Sequence, residues 1–340
     1  MDDKIKEVVE QYELNIKNVY RVRGAYILDT GEGLRILREF RSTPQKAEFA
    51  QLVKESLREQ GYIYTDLYLR NREGDLITEN VMGNQYVLKH WFMGEECDLK
   101  SKEQVAGAAE NLAKLHNMMR GVTTEPLTFQ ADTFGETLIK HNRELRRVRS
   151  YIREKKQRNE FELLFLSIFS EFYQEAEDAE SMLSDIEGEG LYQELNEQQT
   201  LCHGSYNYHN VLFTSSGIAT TSFERTHLQL QVMDLYDFVR KLMEKNNWNL
   251  YLLQTVLEHY QKVRPLSKEE KKLLYIWMIY PEKFWKIINY YFNSNKAWYS
   301  EKNEEKLKQL QNQEEIRKKF IASPPQNALF LLSEEYIYEV

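Results

Sequence analysis

The stretch LCHGSYNYHNVLF, residues 201–213, packs two histidines, a serine and two asparagines between an apolar lead-in and an apolar exit. Hydroxyl and imidazole groups this close suggest first a nucleophilic serine, Ser205, with a histidine as base. The G-x-S-x-G elbow that presents such a serine is missing. A metal centre is the next candidate. His209 follows His203 by six residues, but no carboxylate or cysteine stands beside them at ligand spacing. No GxxxxGK[ST] phosphate loop occurs, and Gly31-Glu32-Gly33 reads as a hairpin turn. From residue types alone, His203 holds its loop by imidazole hydrogen bonds and Asn210 caps a turn with its amide.

The elements that must position this loop fall into two regions. Residues 24–40, GAYILDTGEGLRILREF, read as a hairpin turning at Asp29–Gly33. Ser42-Thr43-Pro44 opens a helix that runs to about Gln60, with Gly61 as its C-terminal stop and Phe49, Leu52, Val53 and Leu57 on one face. Strands are expected at 63–69, 76–78 and 85–92, so the first 92 residues read β-β-α-β-β-β. After Met93-Gly94 the pattern turns helical: a helix over 100–119, a charged and mostly helical stretch over 136–184, a hairpin turning at 214–217, and a largely helical region over 250–340. The division expected is therefore 1–92, a connector at 93–96, and 97–340.

Composition narrows the function. The net charge of −8 disfavours a nucleic-acid or anionic-membrane binder. No run of 18 apolar residues and no signal-peptide core is present, so synthesis in the cytoplasm and no membrane span are expected. Two cysteines, Cys97 and Cys202, lie far apart without zinc-ligand spacing. Twenty-two tyrosines suit large cores and equally suit a protein in a crowded assembly.

Several segments together carry a family resemblance. AENLAKLH, the loop HGSYNYHN, the strand ending Thr221-Ser222-Phe223-Glu224, and MDLYDFVRKL resemble the motifs of aminoglycoside and choline phosphotransferases. YVLKHWFMGEEC, MDLYDFVRKLMEK and YPEKFWKIINYYFNSNKAW are similar to spore coat proteins of the CotS group, with YutH-type members nearest, over nearly the whole chain. The resemblance implies an α+β, two-lobed, protein-kinase-like fold with a small β-rich N-terminal lobe and a large helical C-terminal lobe.

It also implies that the machinery is degenerate. Ser205 stands at the family's catalytic aspartate, and its neutral hydroxyl is a poor base. Ser222 stands at the magnesium-binding aspartate and offers no charge. Arg38 falls at the strand lysine that grips phosphates, where it either holds a phosphate or pairs with Glu48. Asn210 alone remains of the metal-and-base set, with Glu224 as a substitute ligand if it swings inward. His203, Gly204 and Asp234 are expected to hold the loop. A vestigial nucleotide cleft would draw on Arg38, Glu48, His90, Phe92 and Asn210. The expectation is a catalytically inactive kinase-fold component of the endospore coat, without ATP, magnesium or small-molecule ligand and with other coat proteins as partners. The alternatives are a phosphotransferase with an altered metal site and a metal-independent nucleotide binder.

Overall fold

The computed structural model describes residues 3–22, 24–123, 129–130, 134–187, 190, 194, 197–293 and 301–322. The chain packs into two compact units, one of Met1–Gln130, Gln198–Phe238 and Thr255–Pro265, the other of Ala131–Glu197, Val239–Gln254 and Leu266–Val340. The stretch 93–96 thus lies inside the first unit, and most of it is a strand.

The first unit begins with α1 (Asp3–Val9), β1 (Ile16–Val22), β2 (Ala25–Thr30), β3 (Gly33–Glu39), α2 (Pro44–Glu59), β4 (Tyr68–Leu69), β5 (Ile77–Glu79) and β6 (Gln85–His90). The strands form one antiparallel sheet in the order β1-β2-β3-β6-β4, with β5 also paired to β6. The hairpin at Asp29–Gly33 and the helix opened by Thr43 and Pro44 match the sequence pattern. Thr43 accepts the Lys46 N–H, and Gly61 takes φ +94°, where a side chain would be strained. The sequence reading begins its first strand at residue 24, so α1 and β1 are additions to it. α1 is short, but Ile5, Val8 and Val9 bury against Leu28, Leu37 and Leu88 on one sheet face. Successive strand residues point to opposite faces. Lys89, which lies opposite both Ile36 and Tyr68, therefore points to the other face.

Beyond the sheet, β7 (Gly94–Glu96) pairs with β9 (Val211–Thr214), which forms a hairpin with β10 (Gly217–Thr220). β8 (Leu201–Cys202) pairs with β11 (His227–Leu228), so the loop at 203–210 leaves a two-stranded ladder and enters the middle strand of a three-stranded sheet. α3 (Lys102–Met119) is capped by Ser101 and buries Val105, Ala108, Ala109, Leu112 and Leu115 along one stripe. Asn111 on that stripe accepts from the Tyr62 hydroxyl at 2.9 Å and donates to Thr220 at 3.0 Å and Tyr206 at 3.1 Å. These bonds satisfy its amide inside the core.

The second unit holds α4 (Phe134–Glu154), α5 (Glu160–Glu187), the last turns of α6 (Val232–Lys245), the start of α7 (Leu250–Val263), α8 (Lys268–Ile279), α9 (Glu282–Asn293) and α10 (Glu301–Ala322). Its core is phenylalanine-rich: Phe161, Phe165, Phe169, Phe172 and Phe284 are fully buried, with Leu145, Ile152 and Leu307. The charged stretch at 136–184 is two helices rather than one. Asn159 and Glu162 exchange the reciprocal bonds of a capping box, which starts α5 afresh. The helical expectation for residues 294–300 and 323–340 lies outside the described residues. No described helix is long and apolar enough to cross a membrane.

Candidate functional site

The loop after β8 is fixed by backbone N–H groups that find buried acceptors. Asp234, in the first turn of α6, receives the His203 N–H at 2.6 Å and the Gly204 N–H at 2.8 Å, and pairs with His116 at 3.2 Å. Burial opposes the Asp234 carboxylate, but these hydrogen bonds and the two imidazoles together hold it below its ordinary pKa. His116 also bonds the Tyr260 hydroxyl at 2.7 Å, which ties α3 and α7 into the same network. Asp234 thus accepts both N–H groups at the start of the loop.

His203 is completely buried, and burial holds its pKa below the usual histidine value. Its Nδ1 accepts the Ser205 N–H at 3.2 Å, which leaves Nε2–H to donate to the Thr221 carbonyl at 3.1 Å. Both ring nitrogens are spent on backbone. Gly204 sits at φ +72°, and a Cβ there would stand 2.1 Å from the Arg225 carbonyl oxygen, so only glycine fits. Asn210 donates its amide to the Ser205 carbonyl at 2.8 Å and hydroxyl at 3.1 Å. His209 pairs with Glu96 at the surface.

Thr221 N–H bonds the Asn210 carbonyl, which carries the chain to Ser222. Ser222 is left-handed, at φ 71° and ψ 56°, a conformation that costs a non-glycine residue about 1–2 kcal/mol. Its N–H donates to Asp66 Oδ2 at 3.0 Å. Asp66 opens onto a buried ionic cluster. Lys89 from β6 reaches Asp66 at 3.0 Å and also pairs with Glu224, two residues beyond Ser222. Lys54 from α2 donates to the Asp66 carbonyl at 2.6 Å and lies 3.6 Å from its carboxylate. Tyr68 donates to Glu224 at 3.0 Å, and its ring lies 3.7 Å from the Lys54 ammonium.

Two lysines face two carboxylates here, so the cluster is neutral with all four charged. Burial would raise the Glu224 pKa, but Lys89 and Lys54 outweigh it and bring it to about 2. Lys89 is raised, because Asp66 and Glu224 overcome its burial. Lys54 is lowered to about 8, since burial and the neighbouring Lys89 exceed the help from Asp66. Among the described residues no group of three or more histidine, cysteine, aspartate or glutamate side chains is placed to hold a metal ion.

The positions expected to form a nucleotide cleft make separate contacts. Arg38 lies over the Trp91 ring at 5.5 Å. Glu48 pairs with Arg70 at 3.2 Å rather than with Arg38. His90 shares the sheet face of Leu88, and burial takes its pKa down to about 4. Phe92 packs edge-on against Tyr64. Lys89, one strand over from the position assigned to Arg38, is the strand cation that reaches Asp66 and Glu224 beside Ser222. Sequence reasoning missed Lys54, Asp66, Lys89, Tyr68 and His116. A signal existed: Lys54 falls on the buried stripe Ala47, Ala50, Lys54, Leu57, where a lysine needs a partner.

The comparisons bear on the family and the fold. Residues 5–324 match the family model described as "Spore coat putative kinase YutH". The chain belongs to the spore coat YutH family. Solved structures share its fold at low identity. An aminoglycoside phosphotransferase from Alicyclobacillus acidocaldarius is 20% identical, with a TM-score of 0.80 over 95% of this chain and 96% of that one. A spectinomycin phosphotransferase in its AMP-bound complex gives 14% and 0.63, over 96% of each chain. A microcompartment-associated aminopropanol kinase gives 13% and 0.62, over 97% of this chain and 100% of that one. This YutH-family chain therefore has the kinase-like, aminoglycoside-phosphotransferase fold, with a small antiparallel sheet and a mainly helical remainder.

Proposed function

We propose that this protein is a kinase-fold component of the endospore coat that does not transfer phosphate and acts through its surfaces on other coat proteins. The observation that carries this reading is the cluster around Ser222. Phosphoryl transfer asks for carboxylates free to hold magnesium and a base beside the acceptor. Here the carboxylates near Ser222, Asp66 and Glu224, are already matched by Lys89 and Lys54. At the base position the Ser205 hydroxyl accepts the Asn210 amide, and a neutral hydroxyl is a poor base. Loss of a general base alone removes about 10²–10⁴ in rate.

Steady-state ATP hydrolysis and transfer assays with magnesium or manganese test this directly. The expected rate is indistinguishable from buffer, and the Ser205→Asp/Ser222→Asp variant stays inactive because Lys54 and Lys89 still claim the neighbouring carboxylates. Turnover by the unmodified chain would contradict the reading. Glu224 supports a second reading, a phosphotransferase with an altered metal site, because its side chain stays 23% exposed and only one of its oxygens is engaged by Lys89 and Tyr68. That reading predicts magnesium-dependent turnover that Glu224→Gln abolishes.

A further inference from the structure

The helix α4 carries a charge pattern opposite to the rest of the chain. Its residues 136–154 hold six lysines and arginines against three glutamates, in a protein of net charge −8. At 100° per residue, Lys140, Arg143 and Arg147 line up on the face away from the buried Leu138, Leu145 and Ile152, with Arg146 and Arg153 on one shoulder. The side chains of Arg143, Arg147 and Arg153 are exposed and make no ion pair, hydrogen bond or ring contact with any described residue, although the Arg153 carbonyl accepts from Arg158. The glutamate best placed to neutralise Arg147 is Glu144, one turn earlier. It is turned away, accepting the Trp285 indole N–H at 2.8 Å. Like charges three and four apart cost a helix about 0.2–0.5 kcal/mol per pair.

Two apolar side chains flank the basic line. Ile139 is 40% exposed and Tyr151 56% exposed. They lie twelve residues apart on α4, about 18 Å at 1.5 Å per residue. Arginine and tyrosine are the residues enriched at protein interfaces.

We propose that this face of α4 is a docking stripe for an acidic, partly apolar polypeptide segment of a partner protein. Its arginines take the carboxylates of the segment, and Ile139 and Tyr151 take apolar side chains at either end. A nucleic acid fits less well. The flanking Ile139 offers nothing to a phosphate backbone. The stripe lies wholly in the second unit, so it stands whether or not the Ser222 site transfers phosphate.

The test uses the full chain and two fluorescent peptides of about twenty residues, one all glutamate and one with leucine at every fourth position, the helical spacing of one face. At low salt both bind, the leucine-bearing peptide about tenfold tighter, and both weaken as salt screens the charges. Arg143→Glu/Arg147→Glu loses at least about tenfold for both peptides. Ile139→Ser/Tyr151→Ser loses only the advantage of leucine. Lys17→Glu/Lys114→Glu, a control at exposed lysines of the first unit, changes nothing. Three results would each overturn the proposal: equal weakening by the control variant, tighter binding of single-stranded DNA of equal charge than of either peptide, or no binding.

Discussion

Two buried ionic clusters among the described residues, one in each unit, differ in how their charges are balanced. Around Ser222, Lys54 and Lys89 face Asp66 and Glu224, so charges match one for one. In the second unit Arg317 lies between Glu175 at 2.7 Å and Glu314 at 2.8 Å, with Lys318 also acting on Glu314, while another of its nitrogens donates to the Ile279 carbonyl at the end of α8. The balance between burial and neighbouring charge decides how each carboxylate titrates. Lysines overcome burial and take Glu224 down to about 2. Burial, with Glu175 adding to it, outweighs Arg317 and pushes Glu314 up to about 7. Glu224 keeps its charge through the neutral range, whereas Glu314 takes up a proton within it. A balanced cluster is also one with no charge left over for a magnesium–phosphate ligand.

The largest effect should come from unbalancing the first cluster. Lys89→Met leaves two buried carboxylates against one lysine and is expected to cost about 3–5 kcal/mol in urea unfolding. Removing Glu224 as well, in Lys89→Met/Glu224→Leu, should recover most of that loss. A cost below about 1 kcal/mol for the single variant would mean the cluster is not coupled.

The second cluster should reveal itself through pH. Glu314 binds its proton more tightly folded than unfolded, so its contribution is complete at acid pH. It is lost as pH rises from about 4.5 to about 7. The loss is about 2–4 kcal/mol, which Glu314→Gln should abolish, leaving the variant more stable than the unmodified chain above pH 7. Parallel stability–pH curves for the two proteins would remove the assignment. The smallest effect belongs to the loop scaffold. Asn210→Ala forfeits two hydrogen bonds to Ser205 and should cost about 1–2 kcal/mol by the same unfolding measurement.

What the sequence revealed divides along the same physical line. Elements with strong local signals were legible: the Asp29–Gly33 hairpin, the Thr43-Pro44 start of α2, and the Ser101-capped stripe of α3. α1 and β1 were not, because α1 is too short to show periodicity and β1 alternates weakly, with Lys17, Asn18, Tyr20 and Arg21 exposed. The loop motif was legible through His203, Gly204, Asn210 and Asp234, whose roles are local or set by one long-range acceptor. The ionic cluster was not legible as a cluster. Lys54, Asp66, Lys89 and Glu224 come from a helix, a loop, a strand and the Ser222 turn, and only folding brings them together. Arg38 was assigned by register alone. The register left open which strand supplies the buried cation, and the structure supplies it from β6.

Thermal unfolding of the full chain with and without millimolar magnesium–ATP, and with ATP in EDTA, tests the central claim most directly. A ligand that binds only the folded state raises Tm, by several degrees at concentrations about a hundredfold above Kd. With its site charges already satisfied from within, the protein should unfold at the same temperature in all three conditions. A rise of several degrees with magnesium–ATP would show that the lysine–carboxylate cluster yields to a nucleotide, and a rise in EDTA would show nucleotide binding without metal. Either rise contradicts the account.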